Sequence, residues 1–157
     1  PPEDVEGLAV LARDGAVPLA AGERLIGRRE AEPLLSRRLV SVLQPDICHV
    51  GGLTETRKIA AMAELAGVAL APHNPLGPIA GAAALHFAVS SPNVLIQEEM
   101  SGAVPWYDEV VAGPIRREGG WWLVPEAPGL GVEVDLQAAA RHPFEQEPMI
   151  AAEARIS

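Results

Sequence analysis

The chain has 157 residues, 48% of them hydrophobic, and its 12 basic and 21 acidic side chains leave a net charge of -9. A charged share of 21% beside abundant Ala, Leu and Val excludes wholesale disorder, and the acidic balance excludes a nucleic-acid surface, which needs clustered Lys and Arg. No apolar run reaches the ~18 residues of a membrane span, so no membrane partner is expected; one cysteine, Cys48, leaves no internal disulfide.

The opening Pro1-Pro2-Glu3-Asp4 is neither basic nor apolar, unlike a signal peptide. Together with the single cysteine it predicts a cytoplasmic location. The first predicted helix runs from Glu3 to Arg13, with Val5, Leu8, Ala9 and Ala12 on one stripe and Gly15 just past its end. A first apolar run, Val17 to Ala21, ends in Gly22-Glu23-Arg24. A weaker helix over Glu30 to Arg38 must hold Pro33 in its first turn. Leu39 to Leu43 is the second run, ending in Gln44-Pro45-Asp46. A helix over Glu55 to Ala66 follows and stops at Gly67. Val68 to Ala71 is the third run, ending in Pro72-His73-Asn74. Ile79 to Ser90 is apolar all round and predicts a well-buried helix. Val94 to Ile96 is the fourth run, ending in Gln97-Glu98-Glu99.

Continuous apolar runs, rather than in/out alternation, mark strands buried on both faces of a parallel sheet. The class is therefore α/β, as a doubly wound sheet or part of a (β/α) barrel. The four strand ends carry Glu23, Asp46, His73 and Glu98, at separations of 23, 27 and 25 residues. A barrel of about 250 residues uses roughly 30 per unit, so these spacings suit tight barrel units. In both architectures ligands bind at the C-terminal strand ends, which would turn all four residues to one pocket.

The last third changes character. Pro114 to Asp135 is rich in Gly and Pro, and Arg117-Glu118-Gly119-Gly120-Trp121-Trp122 predicts a hairpin. Pro128-Gly129-Leu130-Gly131 makes a tight connection, and the polar tail after Arg141 is expected to be poorly ordered.

Each of the four end residues has an ordinary reading. Glu23 is a solvated surface group, Asp46 a cap or Asx turn, His73 a structural imidazole, and Glu98 with Glu99 an acidic surface pair. In combination they suggest chemistry. A carboxylate and a His at adjacent strand ends can hydrogen-bond, which fixes the tautomer and raises the basicity of the imidazole. A general base near neutral pH requires this. A further Glu can supply a hard oxygen for Mg²⁺. Glu98, if buried, could remain a neutral acid and donate to a developing oxyanion.

The stretches Ala20-Ala21-Gly22-Glu23-Arg24, Leu43-Gln44-Pro45-Asp46 with Gly51-Gly52-Leu53-Thr54-Glu55, Ala71-Pro72-His73-Asn74-Pro75-Leu76-Gly77-Pro78-Ile79 and Ile96-Gln97-Glu98 resemble the enolase superfamily. Within it they resemble the mandelate racemase/muconate lactonizing enzyme branch, and most of all its acid-sugar dehydratases of the D-galactonate type. Pro128 to Asp135 resembles the same branch, so the likeness runs from about Pro1 to Asp135.

The resemblance implies the C-terminal half of a TIM-type (β/α) barrel over residues 1–112. Residues 113–157 would form a hairpin and tail that pack on a capping domain. Glu23 would be one carboxylate ligand of Mg²⁺. His73 would abstract the proton α to the carboxylate of a small sugar acid, Asp46 would orient it, and Glu98 would stabilise the enediolate. The N-terminal capping domain, the first four barrel strands, two metal carboxylates and the acid that protonates the leaving hydroxyl have no counterpart in these motifs. The expectation is therefore an incomplete fragment, inactive alone, of an enzyme that is a homo-oligomer when complete. The alternatives are a racemase or a dehydratase of another sugar acid in the same branch, or an inactive truncated half-barrel.

Other polar residues have structural readings: His49 in a loop near Gly51-Gly52, where it could also touch a substrate, His86 as a satisfied core imidazole, His142 in the tail. Trp106, Trp121 and Trp122 are expected to be packing anchors. Cys48 is expected to be inert. Gly129-Leu130-Gly131 lacks the third glycine and the strand-to-helix setting of a dinucleotide loop.

Overall fold

The computed structural model describes residues 3–113 and 115–144. In chain order these form α1 (Val5–Asp14), β1 (Ala20–Ala21), α2 (Arg28–Ser36), β2 (Val42–Leu43), α3 (Gly52–Ala66), β3 (Ala69–Leu70) and α4 (Pro78–Val89). Then come β4 (Val111–Ala112), β5 (Arg117–Glu118), β6 (Trp121–Trp122), β7 (Glu133–Val134) and α5 (Leu136–Ala140). The order α, then repeated β-α, is the one the apolar runs predict. Strands β1, β2 and β3 lie side by side in sequence order and pair in parallel.

Local chemistry sets the helix ends. Asp4 is the N-cap of α1, its carboxylate accepting from the Gly7 amide at 2.9 Å, so the predicted start at Glu3 moves inward. Gly67 closes α3 with φ +71°, a conformation open to glycine. Pro78 opens α4 at its first turn, where its missing N–H costs nothing. Helix α2 departs from expectation. It begins at Arg28, which places Pro33 in the second turn rather than the first. The helix then ends three residues later at Ser36, so only a short stretch lies beyond the interruption.

The principal core lies between the sheet and helices α2 and α3. Leu43, Leu70, Ile59, Ala31 and Ala63 are wholly buried there with Leu34, Leu35 and Phe87. Leu43 and Leu70 stand opposite each other in register and both face this layer. A second core joins α4 to the C-terminal segment: Ala82 and Leu85 meet Ile115, with Trp122, Leu130 and Val132 against them.

The predicted hairpin forms, with β5 and β6 antiparallel and Gly119 and Gly120 at φ +57° and +85°. Two positive φ values are what a tight two-residue turn demands. Strand β4 pairs with β7 across the intervening residues, a contact with no local sequence signal.

Two expectations are corrected. The fourth run does not make a regular strand. Val94 bridges Leu70 in parallel, with the Leu70 amide donating to Asn93 and the Leu95 amide to Leu70, both at 2.8 Å. Pairing stops there, and Leu95 and Ile96 are 68% and 70% exposed because no strand covers their other side among the described residues. Trp121 is not a packing anchor either: it is 76% exposed, since neighbours in a strand point to opposite faces and Trp122 takes the buried one. Most of the tail after Arg141, with its predicted disorder, lies outside the described residues. Among the described residues, no helix is long and apolar enough to cross a membrane.

Leu70 joins the sheet to this core, so Leu70→Ala is expected to cost about 2–5 kcal/mol. Urea unfolding would show a lower midpoint at unchanged slope; an unmoved midpoint would place the stabilising core elsewhere.

Candidate active site

Strand register brings the central pair together. Val42 stands opposite Ala69 and Leu43 opposite Leu70, and the same offset carries Asp46 to an isolated parallel bridge with His73. Each of the two follows a buried proline, Pro45 or Pro72. Proline holds its own φ near -65° and keeps the residue before it extended. The chain therefore leaves both strands along matched paths.

The side chains then meet. His73 Nδ1 and Asp46 Oδ2 lie 2.9 Å apart. Asp46 is 1% exposed, while the His73 side chain is 26% exposed. The other carboxylate oxygen, Oδ1, accepts from the Cys48 amide at 2.7 Å. This is the Asx turn of the ordinary reading, and it coexists with the dyad because a carboxylate has an oxygen for each. Two amides further along, His49 and Val50, donate to the Asp46 carbonyl at 3.0 and 2.9 Å. Asp46 is thus fixed from both ends. A carboxylate that accepts at Nδ1 keeps that nitrogen protonated and leaves Nε2 as the basic one.

Glu98 approaches from the segment that follows the Val94 bridge. Its Oε2 accepts from the Asn74 amide at 2.8 Å, one residue from His73. Glu98 itself is exposed, so the burial that would have kept it a neutral acid is not present. The adjacent Gln97 amide donates to the Pro72 carbonyl at 3.1 Å and to the Glu98 carbonyl at 2.9 Å. Glu23 follows β1 and is half-buried, and its carboxylate accepts from the Gly22 amide at 3.2 Å. Gly22 turns at φ +129°, with the Gln44 amide 3.1 Å from where a Cβ would stand. Among the described residues, no three His, Cys, Asp or Glu side chains are grouped to hold a metal ion. The structure thus joins Asp46 to His73 and brings Glu98 to the next residue. It leaves Glu23 on its own loop.

One polar assembly escaped the sequence. Arg117 lies 5.7 Å from the ring centroids of both Tyr107 and Trp122, with Glu99 at 3.6 Å and Asp108 at 3.1 Å. Glu99 is thus held by Arg117 as well as by the Ser101 amide, rather than being a free surface acid. The Arg-Glu pair beside two tryptophans was the available signal, but nothing local announces a contact across 18 residues of chain. Two of the other three histidines make structural contacts: the His86 ring bonds the Leu130 carbonyl at 3.2 Å, and His142 stacks on Trp106 at 4.5 Å, while His49 is exposed beside Asp46.

The parallel β-α sheet thus carries a His–carboxylate dyad at adjacent C-terminal strand ends, the edge at which β/α folds bind their ligands. The Enolase C-terminal domain-like family matches residues 1–139, and the chain belongs to that family. It is 45% identical over 139 residues to D-galactonate dehydratase of Ralstonia pickettii, an alignment that covers 85% of this chain and 36% of that enzyme. The chain therefore spans about a third of the length of that relative. A mandelate racemase/muconate lactonizing enzyme-like protein from Roseovarius sp. TM1035 superposes with TM-score 0.87 at 42% identity, over 93% of this chain and 36% of that one. An enolase from Agrobacterium radiobacter, solved with bound Na and L-malate, superposes with TM-score 0.82 at 33% identity, over 94% and 42%. The fold is thus the enolase-type α/β barrel domain in part, on the mandelate racemase side of the superfamily.

Cys48 reports on the dyad. Its thiol is pushed above the ordinary range, first by lost hydration and then by the Asp46 charge. Both causes disfavour the thiolate, so alkylation at neutral pH should be slower than for free cysteine and should rise only at higher pH. Asp46→Asn removes the smaller cause and should speed the reaction only in part. Alkylation as fast as free cysteine at neutral pH would contradict this arrangement.

Proposed function

We propose that this segment supplies the proton-handling side of a sugar-acid dehydratase site, with D-galactonate the first substrate to test. The supporting observation is the 2.9 Å contact between His73 Nδ1 and the buried carboxylate of Asp46. Similarity to a D-galactonate dehydratase supplies the reaction class.

In this reading His73 Nε2 takes the proton α to the substrate carboxylate. Asp46 holds the ring and faces the positive charge it gains. The electron pair left on the α carbon delocalises into the carboxylate as an enediolate, and Glu98, on the segment after the Val94 bridge, would stabilise it only as a protonated donor to the developing oxyanion. Collapse of the enediolate expels the β-hydroxyl, which departs as water with a proton from a group outside this segment. The resulting enol becomes a 2-keto-3-deoxy acid.

Glu23 would be the segment's one oxygen donor to Mg²⁺. The described residues do not complete such a site, since Glu23 has no grouped partners and a hard dication takes about six oxygens. Residues 1–112 would form the barrel part and 113–157 the hairpin and tail that meet a capping domain. A full-length enzyme of this kind would work in the cytoplasm as a homo-oligomer on a small sugar acid.

The test is a chimera in which this chain replaces the matching segment of the Ralstonia pickettii enzyme. It should dehydrate D-galactonate and exchange the α proton with solvent deuterium. His73→Asn should lower both by about 10²- to 10⁴-fold; unchanged exchange would remove His73 from this role. Exchange without loss of water would point to a racemase. The 157-residue chain alone, given Mg²⁺ and D-galactonate, should show no turnover. Measurable Mg²⁺-dependent turnover by it would overturn the need for further groups.

A further inference from the structure

The stretch that carries Glu98 is held differently from the strand ends of Asp46 and His73. Its pairing with β3 stops at the bridge between Val94 and Leu70. Among the described residues, no backbone–backbone hydrogen bond holds residues 96–99. Side chains fasten them instead. The Gln97 side-chain amide donates to the Pro72 carbonyl at 3.1 Å, and Glu98 Oε2 accepts from the Asn74 amide at 2.8 Å. Both contacts reach back to the residues on either side of His73. Glu99 is tied elsewhere: its Oε2 accepts from the Ser101 amide at 2.6 Å and lies 3.6 Å from Arg117 Nε, in the C-terminal hairpin.

Arg117 has a fixed place without Glu99. It opens β5 opposite Trp122. Its Nη1 donates to Asp108 Oδ2 at 3.1 Å and to the Ile115 carbonyl at 3.3 Å. The guanidinium carbon lies 5.7 Å from the ring centroids of Tyr107 and Trp122, within cation–π reach of both. Its Nε is buried and makes no hydrogen bond, and the Glu99 carboxylate is the charge beside it. Exposed ion pairs are weak because two long side chains must be ordered and the charges are screened. Here the arginine is already ordered, and the two side chains are only 25% and 29% exposed.

We propose that Arg117 is a positioning residue for Glu98, acting through its ion pair with Glu99. Neighbouring carboxylates are bound to different elements, Glu98 to the residue after His73 and Glu99 to the hairpin, so the peptide between them is held from both sides. The hairpin thereby does for this segment what the missing ladder does not. Any role of this tie in catalysis rests on the dehydratase reading of Glu98; the tie itself does not.

The proposal can be tested on the ¹⁵N-labelled chain without turnover. The Asn74 amide proton should shift as Glu98 ionises, because that carboxylate accepts its hydrogen bond. Glu98→Gln should abolish the step, which separates it from any response to His73. Arg117→Gln and Glu99→Gln should each lower its amplitude by about twofold or more. The two substitutions change the local charge in opposite directions, so charge alone would move the step in opposite senses. The double variant should lower the amplitude no further than the larger single effect, since both remove one contact. The Cys48 amide, bonded to Asp46 away from the hairpin, should keep its shift in all three variants. An Asn74 amide that does not follow Glu98, an amplitude unchanged in Glu99→Gln, opposite or additive single effects, or a Cys48 amide that moves with them overturns the proposal. If Arg117→Gln does not fold, Glu99→Gln still decides. Failure here leaves the dehydratase reading standing, and a chimera that exchanges no deuterium leaves this tie standing.

Discussion

The parallel register between β2 and β3 is the constraint on which the rest of the site depends. It places Leu43 against Leu70 on the helix-facing side and, continued past the strand ends, Asp46 against His73. In a pleated sheet a slip of one residue would send every side chain to the opposite face. The buried leucine pair penalises that slip, because it would take the slipping strand's leucine out of the core. The hydrophobic core and the proposed chemistry are therefore coupled through one alignment. The prolines before Asp46 and His73 extend the alignment beyond the ladder, where hydrogen bonds no longer enforce it.

The dyad is the best supported part of the site for the same reason. Asp46 is out of water, yet both its oxygens are satisfied, one by the Cys48 amide and one by the imidazole. An unpartnered buried carboxylate would be strongly disfavoured. The nearby amides of His49 and Val50 fold the following loop back onto Asp46, so that the carboxylate needs no distant element to hold it. Glu98 is different. It is exposed and held by Asn74 and Gln97.

That contrast explains what could be read from the sequence. The continuous apolar runs marked the three parallel strands, and the positions just past two of them marked Asp46 and His73, which the register brings together. The hairpin was legible from Gly119-Gly120, whose positive φ values few other residues adopt. The weakness of the fourth strand was not legible. Val94 to Ile96 is as apolar as the others, but its pairing with β3 stops at the single bridge between Val94 and Leu70. Trp121 and Trp122 look alike in sequence, and only strand parity separates the exposed one from the buried one. The Arg117 assembly and the pairing of β4 with β7 are tertiary contacts without local pattern.

The metal and the base also place unequal demands on this chain. Proton transfer needs one correctly oriented pair, and register, two prolines and a backbone amide suffice to orient it. A hard dication needs several oxygens converging from different strand ends. Glu23 stands on a separate loop after Gly22, tied to that glycine's own amide. On the proposed reading, a segment of this size contains the oriented His–carboxylate pair and would contribute a single donor to a metal. In a barrel the two functions draw on different numbers of strands: the dyad is a property of one strand pair, and the metal centre is a property of the larger circle.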